Sequence, residues 1–147
     1  MSDVNMPQIT ISYKGGKEEK HLISNSKDAV AVAKHLFDKD LIAYREEFIV
    51  VYLDQGHKTI GWYKAAVGGI SSCIVEPRTI LGIALQAPVS SILLFHNHPS
   101  GNLKPSQADV AITKKLVSAG EMIEIKVLDH IIISNSGYFS FLDEGML

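Results

Sequence analysis

Short runs of β-branched and aromatic residues, bounded by turn-forming residues, predict the strands of this chain. These runs lie at 46–54, 59–67, 91–95, 123–128, 130–134 and 138–141. Near the N-terminus, two more β-favouring segments, 8–14 and 19–24, flank Gly15-Gly16, a pair that readily adopts the backbone angles of a tight reversal. Residues 1–23 are therefore predicted to be an N-terminal extension that contains a β-hairpin.

Apolar residues at helical spacing predict three helices. The first begins near Ser24 or Ser26, either of which can cap it, and should run for about three turns. Pro77 suits the first turn of the second helix, and Pro105 with Ser106 opens the third. Because helices and strands alternate, the predicted fold class is α/β or α+β, with a mixed central sheet.

The composition fits one compact domain, which we assign to residues 24–147. Apolar residues make up 46% of the chain and charged residues 20%, as in soluble globular proteins. The formal net charge is -2 and no block of Lys or Arg occurs, so the sequence does not predict a large nucleic-acid surface. We find no secretory leader and no apolar run of about 20 residues, so we expect a cytoplasmic protein without a membrane partner. The oligomeric state is left open.

Cys73 is the single cysteine of the chain. One cysteine excludes an intramolecular disulfide and a cysteine-based zinc site, and a reducing compartment is the simplest expectation. Cys73 itself is predicted to be a small core residue.

The stretch 90–109 (SSILLFHNHPSGNLKPSQAD) carries the main candidate chemistry of the chain. It passes from an apolar run into a turn-rich loop and contains His96, His98 and Asp109. Residues two apart in an extended segment point to the same side, so both imidazoles can face one ion. Asp109 is expected in the first turn of the third helix, from which its carboxylate can approach them. Two imidazoles and one carboxylate leave an open position on a tetrahedral Zn²⁺ ion, as in catalytic zinc sites.

A hydrolytic metal site also needs a proton acceptor and a donor to the developing oxyanion. Glu46 and Glu47 both begin a predicted strand, and only one of them can face the site because neighbouring strand residues point to opposite faces. Ser106 could donate a hydrogen bond to the oxygen of a tetrahedral intermediate. The spacing Ser106-x-x-Asp109 is also a capping box, which alone would account for many such pairs.

The spacing of His96, His98, Ser106 and Asp109, with a glutamate upstream, resembles the JAMM (JAB/MPN+) metalloprotease motif. The longer strings HNHPSG and PSQAD, with VEPRTILGIAL before them and VLDHIII after them, resemble the bacterial RadC-type branch of that family. This resemblance implies a cytidine-deaminase-like α/β/α sandwich. It also implies a zinc ion held by His96, His98 and Asp109.

The same resemblance implies roles for two further residues. The Glu-x-Phe pattern of the family matches Glu46-Glu47-Phe48, which assigns Glu46 as the catalytic base. Ser106 carries over as the residue that helps to hold the oxyanion. Asn97 stands where the deubiquitinating branch usually has Ser or Thr, and the helix-hairpin-helix region of longer RadC-type proteins is not found in these residues.

We therefore expect a zinc-dependent hydrolase that cleaves an amide bond in a peptide or protein substrate. The alternative is a DNA-repair-associated, RadC-like module that binds nucleic acid or protein. A third possibility is an iron oxygenase, because two histidines and a carboxylate also bind Fe(II). Zinc nucleobase deamination is excluded, because its signature needs at least two cysteines. His130 could orient a metal ligand, but a packed structural histidine is the favoured interpretation.

Overall fold

The computed structural model describes residues 5–68 and 74–147, in which five strands and three helices form one layered unit. In chain order the elements are α1 (Ser26–Ala33), β1 (Glu47–Leu53), β2 (Thr59–Val67), α2 (Pro77–Ala84), β3 (Ser91–Asn97), α3 (Gln107–Met122), β4 (Lys126–Ser134) and β5 (Gly137–Ser140). The strand β2 and the helix starts at Pro77 and Gln107 agree with the sequence pattern. Cys73 lies outside the described residues.

The strands form one mixed sheet in the order β2-β1-β3-β4-β5. Strands β3 and β4 are parallel, and the other neighbouring pairs are antiparallel. A parallel pair needs a crossover connection, and α3 supplies it. The start of α3 is consequently brought to the same edge of the sheet as the end of β3.

Both faces of the sheet are covered by helices. Alternate residues of β1 and β3 divide between the two faces: Ile49 and Phe95 pack on the α1 side, whereas Phe48 and Leu94 pack on the side of α2 and α3. The predicted α/β/α sandwich with a mixed central sheet is thereby confirmed. Strands β1 and β3 are buried along their whole length, which explains their nearly continuous apolar sequences.

The predicted N-terminal hairpin is wrong for the residues that the structure describes there. Residues 5–20 form no strand pair, and only Leu22 makes an isolated antiparallel bridge, to Lys58. The residues Ile9 and Ile11 are 92% and 74% exposed, so their side chains are not packed against an apolar surface. A two-stranded hairpin without such packing is at best marginally stable in water.

Two element boundaries also differ from the sequence prediction. Helix α1 has eight residues rather than three turns, and Asn25, not Ser24 or Ser26, caps it by accepting from the Asp28 N–H. The two strands predicted on either side of Asp129 are one continuous strand, β4. Asp129 fits within a strand because its buried carboxylate accepts hydrogen bonds from nearby main-chain and side-chain donors.

Among the described residues, no helix combines the length and the apolar character needed to cross a bilayer.

Candidate metal centre

Three parts of the chain meet at one edge of the sheet. Strand β3 ends at Asn97, α3 begins at Gln107, and β1 begins at Glu47 as the antiparallel neighbour of β3. In this register Phe48 lies opposite His96, so the residues just before β1 lie beside the end of β3. The edge carries a cleft of about 1040 Å³ that is lined by residues from all three parts.

The three predicted ligands converge in this cleft. The Nε2 atoms of His96 and His98 are 2.8 Å apart, and they lie 3.1 and 3.2 Å from the two carboxylate oxygens of Asp109. Metal-bonding distances of about 2.0–2.1 Å in a tetrahedron place ligand atoms about 3.3 Å from one another. The observed separations are close to that value, so this donor set fits a small tetrahedral ion such as Zn²⁺.

Hydrogen bonds already orient the second histidine for such an ion. The Nδ1 atom of His98 lies 2.6 Å from the carbonyl oxygen of Asn102, and because a carbonyl only accepts, this nitrogen must carry the proton. The lone pair of a neutral His98 is then on Nε2, the atom that faces His96 and Asp109. The side-chain hydrogen bond to Asp109 raises the pKa of His98 from its ordinary value.

The carboxylate of Asp109 is held in its ionised form. Burial alone would raise its pKa, but hydrogen bonds from the protonated forms of His96 and His98 hold the pKa of Asp109 well below its usual range. The carboxylate also accepts from the Ser106 N–H at 2.7 Å, and Ser106 Oγ accepts from the Asp109 N–H at 3.1 Å. Asp109 therefore takes part in a capping box and also in the cluster with His96 and His98, so the cap does not prevent it from serving as a metal ligand.

Ser106 is the N-cap of α3, and it also lines the cleft. Its hydroxyl oxygen accepts the bond from the helix, which leaves its single proton free to donate. The helix N-terminus adds a partial positive charge at the same place. This arrangement suits a group that stabilises negative charge in the cleft.

The two candidate bases lie on opposite faces of the sheet edge. Glu46 immediately precedes β1, is half-buried and lines the cleft with the histidines. Glu47 points to the other face, where it is 2% exposed and contacts Arg45 at 3.1 Å and Lys64 at 2.9 Å. Burial raises the pKa of Glu46, although the nearby His96 partly opposes this effect.

Two polar side chains beside the centre were not predicted from the sequence to act in it. Thr113 and Asn97 are 2% and 0% exposed, and each bonds to a segment that carries a candidate functional residue.

His130, for which the sequence favours a packed structural role, is fully buried with its Nε2 atom 2.8 Å from His96 Nδ1. Burial lowers the pKa of His130 well below its ordinary value. Only the pairing of β3 with β4 brings His130 to His96, and no local pattern encodes that pairing.

Known proteins resemble this chain over most of its length. The family model for the RadC-like JAB domain matches residues 23–146. A UPF0758 protein of Flavobacterium johnsoniae is 41% identical over 124 residues, which cover 84% of this chain and 53% of the relative. A UPF0758 protein of Aquifex aeolicus is 34% identical over 140 residues, covering 95% of this chain and 58% of the relative. The chain thus spans a little more than half the length of these relatives.

Proposed function

The chain belongs to the RadC-like JAB domain family, and we propose that it is a zinc-dependent hydrolase of amide bonds in peptides or proteins. The observation that carries the proposal is the convergence of His96, His98 and Asp109, whose ligand atoms all lie within 4.8 Å of one another. A base candidate, Glu46, and an oxyanion donor candidate, Ser106, line the same cleft. The candidate ligands, base and oxyanion donor therefore line one cleft, which supports the proposal.

Each of these residues has a distinct task in the proposed reaction. A zinc ion bound by the three ligands would lower the pKa of a water molecule from about 15.7 to about 7 and polarise the scissile carbonyl. Glu46 accepts the proton of the attacking water and returns it to the leaving amine. Its partly buried position supports this role, because a carboxylate with a raised pKa is a better match to proton transfer near neutral pH.

Ser106 donates to the oxygen on which negative charge develops. The capping geometry fixes the Ser106 hydroxyl at the helix end, so little reorganisation is needed when the charge appears. The described cleft lining contains a single Lys, Lys104, and no Arg, which does not favour the alternative of nucleic-acid binding in this cleft.

The metal site can be tested by measuring the metal content of the purified protein. We expect bound zinc in the parent, and we expect His96→Ala and Asp109→Ala to weaken zinc binding by more than the roughly 10- to 100-fold typical of residues outside the ligand set. Inductively coupled plasma mass spectrometry and competition with a chelator measure both quantities. His35→Ala, at an exposed histidine, is the matched control. Ligand variants that retain the zinc affinity of the parent would contradict the site, and iron in place of zinc would support an oxygenase.

The role of Ser106 is separable from its capping role by a glycine substitution. Glycine at an N-cap costs only a few tenths of a kcal/mol, so Ser106→Gly should keep the fold and its zinc. We expect hydrolysis of a quenched-fluorescent peptide library to fall by about 10²- to 10³-fold, the usual cost of losing one oxyanion donor. Full activity in a folded, zinc-loaded Ser106→Gly protein would remove Ser106 from the mechanism.

A further inference from the structure

A chain of hydrogen bonds leads from one proposed ligand into the core and back to another. His96 Nδ1 lies 2.8 Å from His130 Nε2, and His130 Nδ1 lies 2.5 Å from Thr113 Oγ1. Thr113 Oγ1 in turn donates to the main-chain carbonyl of Asp109 at 2.6 Å. These hydrogen bonds thus connect the proposed ligand His96 on β3 with Asp109, the residue that supplies the carboxylate.

The positions of the protons follow from the last of these hydrogen bonds, between Thr113 and the Asp109 carbonyl. A threonine hydroxyl has one proton, and that proton is given to the carbonyl of Asp109, so Thr113 Oγ1 can only accept from His130. The proton of a neutral His130 is therefore on Nδ1, and its Nε2 accepts from His96 Nδ1–H. A neutral His96 consequently has its lone pair on Nε2, the atom that faces His98 and Asp109.

The surroundings of His130 hold this arrangement in place. The ring of His130 stacks on Phe141, with centroids 4.7 Å apart and planes 12° apart, and the edge of Phe48 contacts it at a centroid distance of 5.5 Å. Thr113 lies four residues after Asp109 on α3, so its hydroxyl reaches the main-chain carbonyl of the preceding turn. Neither side chain can turn away without losing buried contacts.

We propose that Thr113 and His130 are positioning residues that fix His96 in its Nδ1–H form and so direct its Nε2 lone pair into the metal centre. A carbonyl partner does the same for His98, through Asn102. The metal-binding consequence rests on the proposed function, whereas the protonation pattern belongs to the metal-free protein. Hydrogen bonds that orient metal-binding histidines in this way commonly strengthen metal affinity.

The first test compares two variants of Thr113. Thr113→Val keeps the shape and removes the hydroxyl, and we expect it to weaken zinc binding by about 10- to 100-fold in chelator competition. Thr113→Ser restores a hydroxyl and should restore the affinity. Thr79→Val, at a threonine on α2, is the matched control. Circular dichroism verifies that each variant is folded, and a folded Thr113→Val protein with the zinc affinity of the parent overturns the proposal.

The second test reads the protons directly in the metal-free protein. Long-range ¹H–¹⁵N correlation spectra of histidine-labelled protein should place a proton on Nδ1 of His130 and of His96, with Nε2 of His130 bare. In Thr113→Val the proton of His130 should no longer be confined to Nδ1, because the hydroxyl that accepts it is absent. A parent with the proton of His130 on Nε2 overturns the proposal. The expected pattern in a protein that binds no zinc supports the positioning role and contradicts the proposed zinc site, so the two failures are distinguishable.

Discussion

Replacing Glu46 by glutamine is expected to lower amide hydrolysis by about 10²- to 10⁴-fold while the zinc content stays that of the parent. The substitution keeps the size of the side chain and removes its capacity to take up a proton. Glu46 lines the cleft together with the histidines but does not belong to the ligand set, so metal binding should be unaffected. Cleavage of a quenched-fluorescent peptide library, followed by mass spectrometry of the products, measures the effect.

The neighbouring residue provides an informative comparison. Glu47 lies on the opposite face, paired with Arg45 and Lys64, so Glu47→Gln should reduce stability and leave the turnover of the folded, zinc-loaded enzyme close to that of the parent. Glu18→Gln, at an exposed glutamate, controls for the change of charge. A Glu46→Gln protein that hydrolyses as fast as the parent would eliminate Glu46 as the base.

The convergence of the three candidate ligands could be predicted from the sequence because its geometry is largely local. The two-residue period of a strand places His96 and His98 on one side, and the first turn of a helix places Asp109 within reach of a preceding strand end. The same period separates Glu46 from Glu47. These predictions need no knowledge of which strands pair.

Features that depend on distant parts of the chain could not be predicted in the same way. His130 reaches His96 only through the parallel pairing of β3 and β4, and Thr113 reaches His130 only because α3 packs over that pair. The hairpin prediction for the N-terminal segment was wrong for the converse reason: the local pattern favours strands, but the described residues 5–20 pair with no strand. The spacing of hydrophobic residues determines which face of an element a side chain occupies, but it does not determine which residues that side chain contacts.

Asn97 connects the end of β3 to the segment that precedes β1. Its neighbours His96 and His98 point into the cleft, so the alternation directs Asn97 to the opposite face, where it is completely buried. Its amide donates to the carbonyls of Ile42 and Arg45 at 2.7 and 2.8 Å, and its carbonyl oxygen accepts from the Glu47 N–H at 2.7 Å. These bonds attach the segment that carries Glu46 to the strand that carries the histidines.

Asn97→Ala should therefore lower the free energy of unfolding by about 3–5 kcal/mol, because three polar main-chain groups lose a buried partner. Asn97→Asp should be at least as damaging, since it keeps the acceptor, removes both donors and places a carboxylate against two carbonyls. Urea unfolding of the metal-free proteins measures the change without a contribution from bound metal. Asn135→Ala, at an exposed asparagine, should lose clearly less. Asn97 variants as stable as this control would mean that the segment before β1 is held by other contacts. The position of Glu46 would then depend on the pairing of β1 with β3 and not on the Asn97 amide.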